Sequence, residues 1–278
     1  MYRLFNQFSR TLQNSISLAL AVITLVSTVC SILGFTIRDI NSKLTWWNCL
    51  LILLGLYMLL VGSIYACTKF KQKKPIHFSI NGNQGEIRSG DIFLTDGLKV
   101  IPFNEYYDTI VDDVIISKKS LNGVFIADHV QDVAALNERI NNADNDSSSL
   151  KSIEEHGRKR YPLGRIIPYE GYLLLAFSHF NANNEAHIDV SDYEKCLFQM
   201  WREIRRTHSG KDVVLPLIGS GITTFDGIMK KDNTDLLKCI LCTLRSSGVQ
   251  LNGKVSIILT DEVRKTINMD SILEVLGR

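Results

Sequence analysis

Val213-Val-Leu-Pro-Leu-Ile-Gly-Ser-Gly-Ile-Thr-Thr-Phe225 is the stretch from which the fold can be read. Its apolar head reads as a buried strand, and the strand runs into a loop where Gly219 and Gly221 flank Ser220. Glycine admits positive φ and puts no Cβ in a ligand's way, so successive N–H groups there can converge on an anion. Ser220, Thr223 and Thr224 add hydroxyl donors. Two phosphate motifs are excluded. No lysine follows Gly221 until Lys230, as a Walker loop would need, and Thr224 stands where a dinucleotide fingerprint has its third glycine.

Working outward, the strand candidates are Ile76 to Ile80, Glu86 to Leu94, Leu98 to Pro102, Val124 to Ala127, Gly171 to Ser178, Val213 to Leu217 and Val255 to Thr260. Several are continuous Val/Ile/Leu runs, which mark strands covered on both faces. Between the later ones lie helical patterns. Asp189 or Ser191 can cap a helix that turns Tyr193, Leu197, Met200, Trp201 and Ile204 inward and ends on Arg205, Arg206 and His208 before Gly210. Asn233 or Thr234 can cap a second, with Leu237, Ile240, Leu241 and Leu244 inward and Gly248 at its end. A last helix is expected from about Asp261 to Leu276, and Asn141 to Arg160 reads as a polar surface loop. Alternating strands and helices predict a three-layer α/β domain with a mixed sheet over residues 76–278.

Residues 1–75 have another texture. Ile16 to Ile37 and Trp47 to Cys67 are free of charge, and each is long enough to cross a hydrocarbon core of about 30 Å. The short connection from Arg38 to Trp46 makes them a transmembrane hairpin. Trp46 and Trp47 suit one membrane interface, and Leu4, Phe5, Phe8 and Leu12 give the first residues an apolar face. Arg3 and Arg10 before the first span and Lys69, Lys71, Lys73 and Lys74 after the second outweigh Arg38 and Lys43 between them. Both ends are therefore expected on the cytoplasmic side of a cell membrane. Ser27 with Ser31, and Gly62 with Ala66, are small pairs that allow close helix approach and support oligomers. Neither span carries an Asp, Glu, Lys, Arg or His, which argues against a transporter with an intramembrane ion site.

The net charge of +2 and the lack of a basic stripe interleaved with aromatics exclude a dedicated nucleic-acid binder. Six cysteines lack the density of a disulfide framework. Cys239 and Cys242 form Cys-x-x-Cys inside a helical pattern, where core packing is the favoured reading, and the histidines show no metal-ligand spacing.

Several separated pieces resemble one family in its own order. Gly90-Asp91-Ile92 resembles the opening strand motif of macro domains, and Val100-Ile-Pro-Phe-Asn104 the strand carrying their asparagine loop. Tyr161-Pro-Leu-Gly164 matches a recurrent segment before a central strand. Leu215 to Ile222 is similar to the second phosphate loop, and Ile257 to Asp261 to the last strand and turn. The resemblance implies an ADP-ribose-binding domain. In it Asp91 would accept from the adenine amino group as a buried carboxylate, with Ile92 beside the ring and Thr260 near adenine. Gly219, Ser220, Gly221 and Ile222 would hold the diphosphate through backbone N–H groups, Thr223 and Phe225 would lie near the far ribose or its substituent, and Leu217 and Asn104 would be further ligand-binding residues. Ser117, Leu121 and Gly123 belong to the segment in the place of the first glycine-rich loop. The family's Asn-Ala-Ala-Asn is replaced by Phe103-Asn-Glu-Tyr-Tyr-Asp108 and the first loop lacks its glycine run, so binding without turnover is expected.

A macro domain behind two membrane helices resembles the membrane effectors of type II Thoeris anti-phage defence. That implies a TIR-domain partner that makes histidine-linked ADP-ribose, a lipid bilayer at the bacterial inner membrane, assembly of copies on activation, and no further cofactor. The Gly219 to Lys231 segment is the candidate lid. A membrane-anchored ADP-ribosyl hydrolase using Asn104 and Asp108, or a passive anchored interaction module, are the alternatives.

Overall fold

The computed structural model describes residues 2–32, 46–155, 157–181, 185–227 and 231–277. The expected connection from Arg38 to Trp46, except for Trp46, and the end of the first span lie outside them. The chain divides into two units, Met1–Lys74 and Pro75–Arg278.

In the first unit α1 (Tyr2–Ile32) and α2 (Trp46–Lys73) pack on one another. α1 is continuous through the residues read as an interfacial face. Ser15 and Ala19, one turn apart, are buried, whereas Ser27, Ser31, Gly62 and Ala66 are exposed. The small pairs expected to bring helices together therefore lie away from this contact. Ser15–Ile32 is long and apolar enough to cross a membrane, and in α2 the described apolar stretch is Leu51–Ala66. Leu18, Leu25, Leu51, Leu56 and Leu59 are more than half exposed, so these described apolar side chains are not packed into a core of the unit.

The second unit is built on a nine-stranded sheet. Its strands are β1 (Ile76–Ile80), β2 (Asn83–Ser89), β3 (Leu98–Asn104), β6 (Ile166–Tyr169), β7 (Tyr172–Phe180), β8 (Ala186–Ile188), β9 (Val213–Pro216), β10 (Thr224–Phe225) and β11 (Val255–Leu259). β4 (Ile153–Glu155) and β5 (Arg158–Arg160) form a separate hairpin. The order is β1-β2-β11-β9-β3-β7-β8-β10, with β6 beside β7. β2, β11, β9, β3 and β7 are mutually parallel, β1 runs antiparallel to β2, β6 and β8 run antiparallel to β7, and β10 is parallel to β8. The mixed sheet is as the sequence predicts.

Side-chain alternation sorts the strands into two faces. Val100, Leu173, Leu175, Val213, Leu215 and Ile257 join the core beneath the helices at Val190–Thr207 and Asn233–Ser247. Ile101, Phe103, Leu174 and Ala176 join a second core with Phe125, Leu136 and Ile140. The result is three layers. The helix α5 at Val190–Thr207, which follows the one-turn α3 (Leu121–Val124) and α4 (Val133–Asn141), is capped by Asp189 and buries Tyr193, Leu197, Met200, Trp201 and Ile204. α6 (Asn233–Ser247) is capped one residue earlier than expected, by Asp232 in a capping box with Asp235, and stops at Gly248 with φ 63°.

Four expectations need correction. Val124–Ala127 is helical, since α3 continues into a π turn over Phe125–His129 that packs Phe125 and Ile126 inward. The strand expected to reach Leu94 ends at Ser89, and the Asp91 carboxylate accepts from Phe93 N (2.9 Å) to close a turn. The last helix is two, α7 (Asp261–Thr266) and α8 (Met269–Val275), because Asn268 starts a new cap on Ser271 N. The Asn141–Arg160 segment is fastened down. Arg165, fully buried, donates to Glu203 (2.8 Å), Asp146 (3.1 Å) and Ala143 O (2.7 Å), and Ser148 donates to Glu203 (2.9 Å).

Candidate functional site

β11, β9, β3 and β7 end at one edge of the sheet, and β8, running the other way, begins there. A cavity of about 570 Å³ lies along that edge, from Thr260 and Val263 past Pro216 and Asn104 to Phe180 and Ala186. It crosses four strand spacings, about 19 Å at ~4.8 Å each. A crevice outside the carboxyl ends of parallel strands is where α/β sheets place ligands.

One wall is the loop after β9. Gly219 has φ +88°, and a Cβ there would stand 3.2 Å from Phe225 Cζ and 3.3 Å from Tyr193 Cε2. Phe225 and Tyr193 meet edge to face (5.4 Å, 70°), and Tyr193 donates to Ile218 O (3.0 Å), so the loop sits on a rigid aromatic base. Ser220 is turned inward: its amide (3.1 Å) and hydroxyl (2.6 Å) both donate to Leu217 O. The amides of Gly219, Gly221, Ile222 and Thr223 have no hydrogen bond within the protein among the described residues. Four adjacent donors on a cavity wall invite a polyanion. Beyond them β10 pairs with β8, and His187 Nδ1 meets Asp226 Oδ2 at 2.7 Å, which anchors residues 224–226 of the expected lid, whose residues 228–230 lie outside the described ones.

The facing wall is the segment 113–122. Ser120 caps the α3 turn by accepting from Gly123 N (3.1 Å), leaving the Leu121 and Asn122 amides unpaired among the described residues. Gly123 is packed against Ser117 O, where a side chain would collide with it. At the far end the β3–β7 register shifts between Phe103 and Asn104, so that Phe177 and Ser178 both line the cavity.

Asn104 borders the cavity but is occupied by its own loop. Its Oδ1 accepts from Tyr106 N (3.0 Å) and Asp108 N (3.2 Å), and its Nδ2 donates to Asp108 Oδ2 (2.8 Å). Asp108 is also paired with Arg158. Behind them Glu105 is buried against His179 Nδ1 (2.8 Å), whose Nε2 lies 3.6 Å from Asp192. The hydrogen bond to Glu105 is the main cause that raises the His179 pKa, against the pull of burial.

Residues 86–260 match the macro domain of Thoeris protein ThsA. A curated relative, Thoeris protein ThsA of Bacillus amyloliquefaciens (strain Y2), is 35% identical over 262 residues, which cover 91% of this chain and 86% of the relative. The chain belongs to the ThsA family of Thoeris proteins. Among solved structures, a mutant macrodomain of Oceanobacillus iheyensis with ADPR gives a TM-score of 0.50 at 16% identity, covering 74% of this chain and all of that one (100%). Another mutant of the same macrodomain gives 0.49 at 17% identity, covering 73% and 98%.

Of the expected site residues of this ThsA macro domain, Asn104, Ser117, Leu121, Leu217, Gly219, Ser220, Gly221, Ile222, Thr223 and Thr260 line the cavity. Asp91, Ile92, Gly123 and Phe225 do not. Asp91 is exposed, not the buried carboxylate expected, because the chain turns out of the sheet at Gly90. Ile92 is buried with Val214 and Ile258, and Phe225 serves as the floor under Gly219. Sequence reading missed the contribution of Phe177 and Phe180 to the far end. Their signal is alternation along β7 followed by the register shift, and the shift has no sequence mark.

Proposed function

We propose that this chain is the membrane effector of a type II Thoeris anti-phage system. Its macro domain binds an ADP-ribose derivative, histidine-linked ADP-ribose, made by a TIR-domain partner. The observation that carries the reading is the set of amides at Gly219, Gly221, Ile222 and Thr223, unpaired among the described residues, in a cavity long enough for a dinucleotide-sized ligand. The diphosphate would take those amides, the base would lie toward Ile258 and Thr260, and the far ribose with its substituent toward Phe177 and Phe180. ThsA-family membership and the ADPR of a macrodomain with the same fold support the ligand class.

The ligand is held without being turned over. A hydrolase must position a water with side chains free to hold it, whereas both Asn104 and Asp108 are spent on their own loop. Binding is coupled to the membrane unit, where α1 and α2 both span the bilayer and assemble with other copies. Turning about 1:99 into 99:1 takes roughly 5.5 kcal/mol of differential ligand binding, a demand that assembly spreads over many subunits.

Dye release from vesicles carrying the full chain tests the reading. Histidine-linked ADP-ribose should trigger leakage that neither plain vesicles nor a cavity variant shows. Leakage independent of ligand, or none with ligand bound, would refute the effector mechanism.

A further inference from the structure

Among the described residues, the charged ones lining the cavity are Asp113, Lys119 and Glu185. Both carboxylates already have partners. Asp113 accepts from the Lys118 amide (2.8 Å) and lies 3.4 Å from the Lys118 ammonium, while Glu185 accepts from Asn181 Nδ2 (2.8 Å). Of the two adjacent lysines, Lys118 is thus committed to its own loop. Lys119 has its backbone amide fixed by Ser117 Oγ (3.3 Å), but its ammonium has no carboxylate or carbonyl partner among the described residues. Among the described residues it is therefore the uncommitted charge on the wall that faces the Gly219–Thr223 amides, in a segment without the glycines whose amides could do the same work.

We propose that Lys119 and the amides of Gly219–Thr223 form a two-sided clamp for a diphosphate, with Lys119 supplying the cation. This rests on the nucleotide-binding reading above and goes beyond it in naming the charged residue and the charge class of ligand it selects. Backbone amides are neutral donors whose grip changes little with salt. An ammonium on an exposed rim acts as a point charge, screened over a Debye length of about 10 Å at 0.1 M salt. The clamp therefore gives the site a salt dependence that amides alone would not, and a preference for the diphosphate over the uncharged nucleoside.

The test is titration of the full chain in detergent micelles with ADP-ribose and histidine-linked ADP-ribose at about 50 mM and about 500 mM NaCl. The proteins are the wild type, Lys119→Met, Lys119→Arg and Lys118→Met, each checked for folding by circular dichroism. Lys119→Met should weaken the better ligand about tenfold at low salt, and its affinity should then be nearly independent of salt. Lys119→Arg should stay within about threefold of wild type and keep the salt response, and Lys118→Met should change neither. Wild-type binding that Lys119→Met leaves unaltered at both salts would overturn the clamp while leaving the nucleotide site standing. No wild-type binding of either ligand would remove the parent reading and the clamp with it.

Discussion

Replacing Gly219 by alanine isolates the feature on which the phosphate loop depends. Gly219 sits at φ +88°, where an L-residue is strained by about 1–3 kcal/mol. The added methyl would also press on Phe225 Cζ at 3.2 Å and Tyr193 Cε2 at 3.3 Å, so the aromatic base must give by a few tenths of an ångström. Gly221 is the control in the same loop: nothing lies within 4 Å of a Cβ there and its φ is not positive, so alanine should cost less than about 0.5 kcal/mol. For residues 75–278, a compact unit, each kcal/mol corresponds to a Tm shift of about 2–4 °C. Urea unfolding should therefore place Gly219→Ala about 1–3 kcal/mol below wild type and Gly221→Ala beside it. Calorimetry should show at least a tenfold loss of ligand affinity for Gly219→Ala, because the first amide of the row is turned off its line. A Gly219→Ala protein within about 0.5 kcal/mol and twofold of wild type would refute the reasoning.

Three further outcomes are expected. Glu203→Gln takes from the fully buried Arg165 one of its two carboxylate partners, leaving Asp146, and weakens Arg206 at once, and should cost about 1–3 kcal/mol in urea unfolding. His179 has a folded-state pKa raised above 6.5 by Glu105 and Asp192, so its contribution is complete below the unfolded value and is lost as pH rises through the folded one. Unfolding midpoints of wild type and His179→Gln should differ most near pH 5.5–6 and converge in the alkaline range, with a constant difference counting against the pairing. Removing residues 1–74 should leave ligand affinity within about twofold and abolish dye release, as judged by calorimetry and the vesicle assay together.

The elements that could be read from sequence are those in which local chemistry and burial agree. Val213–Pro216 and Val255–Leu259 are covered on both faces and so are apolar throughout, apart from the buried Ser256. The Val190–Thr207 helix has its cap, inward stripe, basic last turn and terminal glycine all in register. Reading failed where tertiary contacts outweigh pattern. Val124–Ala127 has the composition of a strand, yet Ser120 starts a helical turn just before it. β6 contains Pro168 and only four residues, and β8 and β10 are shorter still, so none offers enough alternation to recognise. The polar Asn141–Arg160 segment looks unstructured because the group that organises it, Arg165, lies beyond its end.

At the site, the second phosphate loop was legible because glycine is required where φ is positive and a ligand approaches closely. Asp91 was placed too deep, since a strand extrapolated to Leu94 would bury what a turn at Gly90 exposes. Lys119 could not be told from Lys118 without the ion pair that removes its neighbour.

Calorimetric titration of the full chain with histidine-linked ADP-ribose and with ADP-ribose, followed by chromatography of the recovered ligand, addresses the central claim most directly. Tight binding of the conjugate, weaker binding of ADP-ribose and a ligand recovered intact are expected. No heat with either ligand would contradict the nucleotide site at Gly219–Thr223, and recovery of cleaved conjugate would contradict a sensor that holds its signal without turnover.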